Sequence, residues 1–189
     1  MAPQYQLIVI GASAGGTAAF RQLLPMFPAH YPIPMVIAQH LHPMQENTLI
    51  LHFNTLCNLT VKEADEKEAI KPGHVYFAPP NYHLLIESDR TFSLSVDAKV
   101  NYSRPSIDVL FECAADVYAP HLIGVVLTGA NNDGAHGLQS IQEGGGLAIV
   151  QDPSTAEVAY MPQAALTATQ TRHVLSLHDI GNLLLEKGK

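Results

Sequence analysis

Leu7-Ile-Val-Ile-Gly-Ala-Ser-Ala-Gly-Gly-Thr17 decides the fold. Leu7 to Ile10 is an unbroken apolar run, too short for a helix and without polar alternation. That pattern predicts a strand buried on both faces, as in a parallel sheet. Gly11 to Gly16 follows as a glycine-rich turn, and Thr17 to Leu24 reads as a helix that stops at Pro25. The unit then repeats. Met35 to Ala38 is a second buried strand ending at Gln39-His40, and Gln45 to Thr55 carries a helical apolar pattern with Leu49, Ile50 and Phe53. Strand, helix, strand, helix implies a parallel sheet with right-handed crossovers.

The middle of the chain breaks the rhythm. Val61, Val75 to Ala78, His83 to Glu87 and Thr91 to Val96 are short strand candidates, the last two forming a hairpin around Asp89-Arg90. They predict an antiparallel excursion at a sheet edge. Lys62 to Lys67 reads as a solvated charged face. Alternation resumes with a helix opening at Pro105 and running to about Val117. Then come a strand over Ile123 to Leu127, a helix capped by Asp133 and running to Gln142, and a strand over Leu147 to Val150. Pro162 opens a short Ala-rich helix, Val174-Leu175 is a last strand, and His178 to Glu186 a last helix. The expected fold is α/β: a doubly wound, mostly parallel sheet with helices on both faces and a small antiparallel β insertion, in a single domain over residues 1–189.

Composition narrows the function classes. The 189 residues are 47% hydrophobic and 14% charged, a globular balance. Ten Lys+Arg against seventeen Asp+Glu give a net charge of −7, which argues against a nucleic-acid partner. No apolar run is long enough for membrane insertion, and no signal-peptide layout opens the chain, so a cytoplasmic location is expected. Cys57 and Cys113 sit in apolar-periodic segments and read as buried free thiols.

In an open parallel sheet, ligands bind beyond the carboxyl ends of the strands. The residues just after the first, second and Ile123 strands are Ser13, His40 and Asp133: a nucleophile, a base and an acid. Gly11-Ala-Ser13-Ala-Gly15 matches Gly-x-Ser-x-Gly on a strand-to-helix turn, where a serine hydroxyl projects from the sheet. The helix opening at Ala14 to Thr17 directs free amides toward the same spot, suited to an oxyanion. A dinucleotide loop is the competing reading. It fails because Ser13 stands at its second glycine and Gln39-His40 where its acid belongs. Neutral imidazole at His40 can take the serine proton. A carboxylate at Asp133 can orient that imidazole. His42 and His52, on the loop and helix beyond, are weaker base candidates. His40-Leu-His42 lacks a third ligand at recognisable spacing, so no metal is expected, nor any cofactor.

Taken in order, these segments resemble the catalytic domain of the chemotaxis receptor methylesterase family, CheB. The resemblance runs through Ile10 to Thr17, Ala38-Gln-His40, Lys71 to Pro79, Arg104 to Phe111, Leu127 to Gly134, Val150-Gln-Asp152 and Met161-Pro162. It implies hydrolysis of γ-glutamyl methyl esters on the cytoplasmic helices of methyl-accepting chemotaxis receptors, giving glutamate and methanol. Deamidation of glutamine at the same sites is a second activity of some members. Ser13 would be the nucleophile, His40 the general base and Asp133 its orienting partner. Ala14, Ala130, Thr128 and Met161 would line the site, with the Ala130 amide in the oxyanion hole.

The chain departs from the family at several places. Ala14 stands for Thr, Ala130-Asn131 for Met-Gly, Tyr160 for Gly and Ser103 for His. No Asp-bearing receiver pattern is read before the first strand; an isolated domain or a free-standing member is expected, with a separate receiver or other chemotaxis proteins among the partners the resemblance implies. Ala14, Ala130, Asn131 and Tyr160 also support a reading from another class: a catalytically weak or inactive binding module of the same fold.

Overall fold

The computed structural model describes residues 4–40 and 46–189. Its spine is β1 (Leu7–Ala12), six residues with every side chain buried. Because side chains alternate along a strand, Ile8 and Ile10 enter one core while Leu7 and Val9 enter the other. Both faces therefore need cover, and the amphipathic helices supply it.

On the Ile8 face lie α1 (Gly16–Leu23), α2 (Glu46–Leu56) and α6 (Leu177–Lys187), contributing Phe20, Leu23, Phe53, Ile180 and Leu184 to that core. On the Leu7 face lie α3 (Ile107–Tyr118), α4 (Ala135–Glu143) and α5 (Tyr160–Thr169), contributing Leu110, Phe111, Leu138, Ile141 and Met161. The remaining strands of the main sheet are β2 (Met35–Gln39), β3 (Thr60–Glu63), β4 (His74–Phe77), β7 (Leu122–Val126), β8 (Leu147–Gln151) and β9 (Val174–Leu175). These and β1 form a seven-stranded parallel sheet in the order β3-β4-β2-β1-β7-β8-β9. β1 thus has β2 on one side and β7 on the other, with Ala12 opposite Gln39 and Gly11 opposite Val126. The strand order reverses here, which opens a crevice at the carboxyl ends. Among the described residues no helix is long and apolar enough to cross a membrane.

Several local expectations are corrected. Only β5 (His83–Ile86) and β6 (Phe92–Ser95) are antiparallel, and they form a separate two-stranded sheet. β3 and β4 join the main sheet in parallel, because residues 64–73 between them are a crossover rather than a tight turn. Pro105 lies before α3; Ser106 is its N-cap, its hydroxyl accepting from the Val109 amide. Pro162 sits inside the first turn of α5, which begins at Tyr160; a missing N–H costs nothing there. Cys57 and Cys113 are partly rather than fully buried. The expected helix start at Gln45 and the side chain of His42 lie outside the described residues.

Candidate active site

Ser13 follows β1 directly. Its amide donates to the Thr128 carbonyl at 2.9 Å, and its own carbonyl accepts from the Gly16 amide at 2.8 Å and from Gln39 Nε2 at 2.9 Å. The turn needs glycine at Gly15, which has φ 82°; a Cβ there would also lie 2.9 Å from Thr128 Oγ1. Gln39 Nε2 also reaches the His40 carbonyl, at 3.2 Å. One buried amide thereby ties together the backbones that carry the hydroxyl and the imidazole.

His40 leaves the end of β2, with its side chain 14% exposed. Its Nδ1 lies 3.3 Å from Ser13 Oγ, and its Nε2 lies 2.9 Å from Asp133 Oδ2. A carboxylate only accepts, so the ring proton is on Nε2 and Nδ1 offers its lone pair to the hydroxyl. Asp133 is completely buried. Besides His40, Oδ2 accepts from the Ile107 amide at 2.6 Å. Oδ1 accepts from Asn101 Nδ2, Ser106 Oγ and the Asp108 amide, at 2.9, 2.9 and 3.1 Å. Burial pushes this carboxyl up, but the hydrogen bonds from His40, Asn101 and the two amides outweigh it and leave it below the usual carboxylate range.

Asp133 was expected to cap its own helix. Instead Gly134, at φ 95°, holds the N-cap position of α4, and Asp133 caps α3. The reason is competition: α3 offers two amides and the Ser106 hydroxyl in a dry pocket, more than one local amide can match.

The remaining expected positions divide. Ala14 and Ala130 are exposed at the cleft, and among the described residues neither amide has an acceptor. Thr128 is 1% exposed and serves as a tie: its hydroxyl donates to the Ala14 carbonyl at 2.8 Å and accepts from the Val158 amide at 2.9 Å. Met161 is fully buried, and its amide donates to the Gly129 carbonyl at 3.0 Å. It packs on Gly129, where a Cβ would also lie 3.0 Å from Ser13 Cβ. Sequence reasoning missed Gln39, Asn101, Ser106 and Asn131 as site residues. Asn131 Nδ2 is 3.3 Å from His40 Nδ1 and its Oδ1 accepts from the Asp133 amide at 3.1 Å. Among the described residues no group of His, Cys, Asp or Glu is placed to hold a metal.

A hydroxyl, an imidazole and a buried carboxylate in line at the switch point of a parallel sheet suit a hydrolase built on a serine. The CheB methylesterase family model matches residues 8–184. A Leptospira interrogans protein is 56% identical over 181 residues, covering 96% of this chain and 94% of its own. Its assigned name, protein-glutamate methylesterase/protein-glutamine glutaminase, is provisional. A protein-glutamate methylesterase/protein-glutamine glutaminase of Maricaulis maris is 36% identical over 187 residues, and the chain spans 47% of its length. The crystal structure of the Thermotoga maritima CheB methylesterase catalytic domain superposes with a TM-score of 0.93 at 34% identity, covering 96% of this chain and 98% of that one. The chain belongs to the CheB methylesterase family, in the part that corresponds to the catalytic domain, and is a carboxylic ester hydrolase.

Proposed function

We propose that this chain, folded as one domain over residues 1–189, hydrolyses γ-glutamyl methyl esters on the cytoplasmic helices of methyl-accepting chemotaxis receptors. The observation that carries the reading is the chain of contacts Ser13–His40–Asp133, at 3.3 and 2.9 Å, on the strand ends of a CheB-family sheet. Ser13 Oγ attacks the ester carbonyl as its proton passes to His40 Nδ1. Asp133, held ionised by its buried donors, supports the imidazolium. The amides of Ala14 and Ala130, without an acceptor among the described residues, receive the oxyanion. The tetrahedral intermediate collapses, and His40 returns the proton to the departing methanol. A water, deprotonated by His40, then attacks the γ-glutamyl ester of Ser13 and releases glutamate. An amide in place of the ester gives ammonia by the same route, which is the glutaminase activity named for the relatives.

Methanol release from methylated receptor fragments, wild type beside Ser13→Ala, tests this. The expected loss in the variant is about 10³-fold or more. Unchanged release would overturn the assignment of Ser13. No release by folded wild type, and no labelling of Ser13 by a fluorophosphonate, would leave a binding module.

A further inference from the structure

The donor and acceptor identities around His40 close into a ring. The Asp133 amide can only donate, so the atom it meets is Asn131 Oδ1, at 3.1 Å. That places Nδ2 of the same side chain on His40 Nδ1, at 3.3 Å. An amide nitrogen can only donate, so Nδ1 is bare. The ring proton is then on Nε2, which donates to Asp133 Oδ2 at 2.9 Å. Each bond fixes the sense of the next, and a flipped Asn131 amide would set donor against donor at Asp133.

Nδ1 has a single in-plane lone pair, yet two donors converge on it at 3.3 Å: Ser13 Oγ and Asn131 Nδ2. Both distances exceed those of a well-formed hydrogen bond. Each donor is therefore only partly engaged. Ser13 must close on Nδ1 to transfer its proton. Once the ring carries that proton, Nδ1–H faces the hydrogens of Asn131 and the contact turns unfavourable. An interaction made before proton transfer and lost during it stabilises the ground state alone, which slows the step. The ring does not need Asn131 to hold its tautomer, because the Asp133 carboxylate already demands the proton on Nε2.

We propose that Asn131 is a positioning residue that restrains this site, competing with Ser13 for the nitrogen of His40 that must accept the serine proton. The proposal rests on the esterase reading above. The backbone of Asn131 lies outside the left-handed region, so alanine fits there without strain.

The test is the rate of Ser13 labelling by a fluorophosphonate in wild type, Asn131→Ala and Asn131→Asp, with the ¹⁵N resonances of His40 recorded for each. Loss of the competing donor makes Asn131→Ala label about three to ten times faster, the scale of one neutral hydrogen bond. Its Nδ1 resonance shifts as Ser13 Oγ takes up the lone pair alone. The carboxylate of Asn131→Asp accepts from Nδ1–H and holds the ring protonated, so labelling slows by about tenfold or more. Both shifts in rate are beyond what a merely structural contact would give with opposite signs. Labelling of Asn131→Ala at or below the wild-type rate, or an unmoved Nδ1 resonance, would overturn the proposal. If Ser13 stays unlabelled in all three chains, the esterase reading falls instead, and the claim of rate restraint with it.

Discussion

Asp108 and Asp133 each cap the helix that the other begins. Asp133 accepts from the Ile107 and Asp108 amides at the start of α3, while Asp108 Oδ1 accepts from the Gly134 and Gly137 amides at the start of α4, at 3.0 and 2.7 Å. Two helix N-termini thus exchange carboxylates, each of which neutralises amides that no residue of the same helix satisfies. Asn101 Nδ2 bridges the pair, 2.7 Å from Asp108 Oδ2 and 2.9 Å from Asp133 Oδ1. The exchange fixes α3 against α4 and leaves Asp133 rigid for His40.

Asp108→Ala removes the acceptor of two buried amides and is expected to cost about 2–4 kcal/mol. Asp108→Asn keeps an oxygen for both amides and loses only the bond from Asn101, so about 1 kcal/mol or less is expected. Urea midpoints of the two variants check the ordering, and equal midpoints would mean that the cross-cap carries little.

The same two carboxylates respond to acid with opposite signs. Burial raises the Asp108 carboxyl above its ordinary value, against the Gly137 amide, and the charge of Asp133 adds to the rise. A raised folded value means that the native state binds the proton more tightly. Relative to Asp108→Asn, wild type therefore gains stability as pH falls through the Asp108 pKa. The net value of Asp133 is depressed. Its contribution is present above the unfolded pKa of about 3.9 and is lost as pH falls through the folded one. Relative to Asp133→Asn, wild type loses stability on acidification. Stability measured from neutrality to pH 3 in all three chains should show slopes of opposite sign, and slopes of one sign would refute the assignment.

Gln39 separates positioning from packing. Its Nε2 holds the carbonyls of Ser13 and His40, while its Oε1 is buried without a partner among the described residues. Gln39→Leu loses the first role and relieves the second. Ester hydrolysis is expected to fall about 10- to 100-fold through kcat, the cost of a misplaced reacting pair. The urea midpoint should stay close to wild type.

Both thiols should be inert in the native state. Burial pushes Cys57 up to about 11 and Cys113 up to about 12. The thiolate is the reactive form. A disulfide reagent at pH 8 should leave both unmodified over minutes and modify both once urea unfolds the chain.

Much of this was legible in sequence because it is local. An apolar run followed by glycines marks a strand and its turn, and the strand-end rule then points at Ser13, His40 and Asp133. The structure brings those side chains together. What was not legible depends on partners far along the chain. The capping preference of Asp133 is real, but its target is α3 rather than the helix it precedes, since Ser106 and the Ile107 and Asp108 amides arrive only with the tertiary fold. Asn101 and Gln39 look like ordinary polar residues until the carbonyls and carboxylates they bind are in place. The parallel pairing of β3 and β4 was hidden because their short runs do not reveal which neighbour they will find. Asn131 was visible as an odd residue, but not as a donor to His40.

The order of the sheet also has a consequence for a chain still being made. β1 is made before its neighbour β7 (Leu122–Val126), and the Ser13 amide finds its acceptor only at Thr128. Asp133 comes later, and Met161, which packs behind Gly129, later still. A fragment that ends before Thr128 therefore holds Ser13 without the acceptor of its amide and His40 without Asp133. A polypeptide that stops before these residues is therefore expected to lack the contact of His40 with Asp133 and to stay unlabelled at Ser13 by a fluorophosphonate.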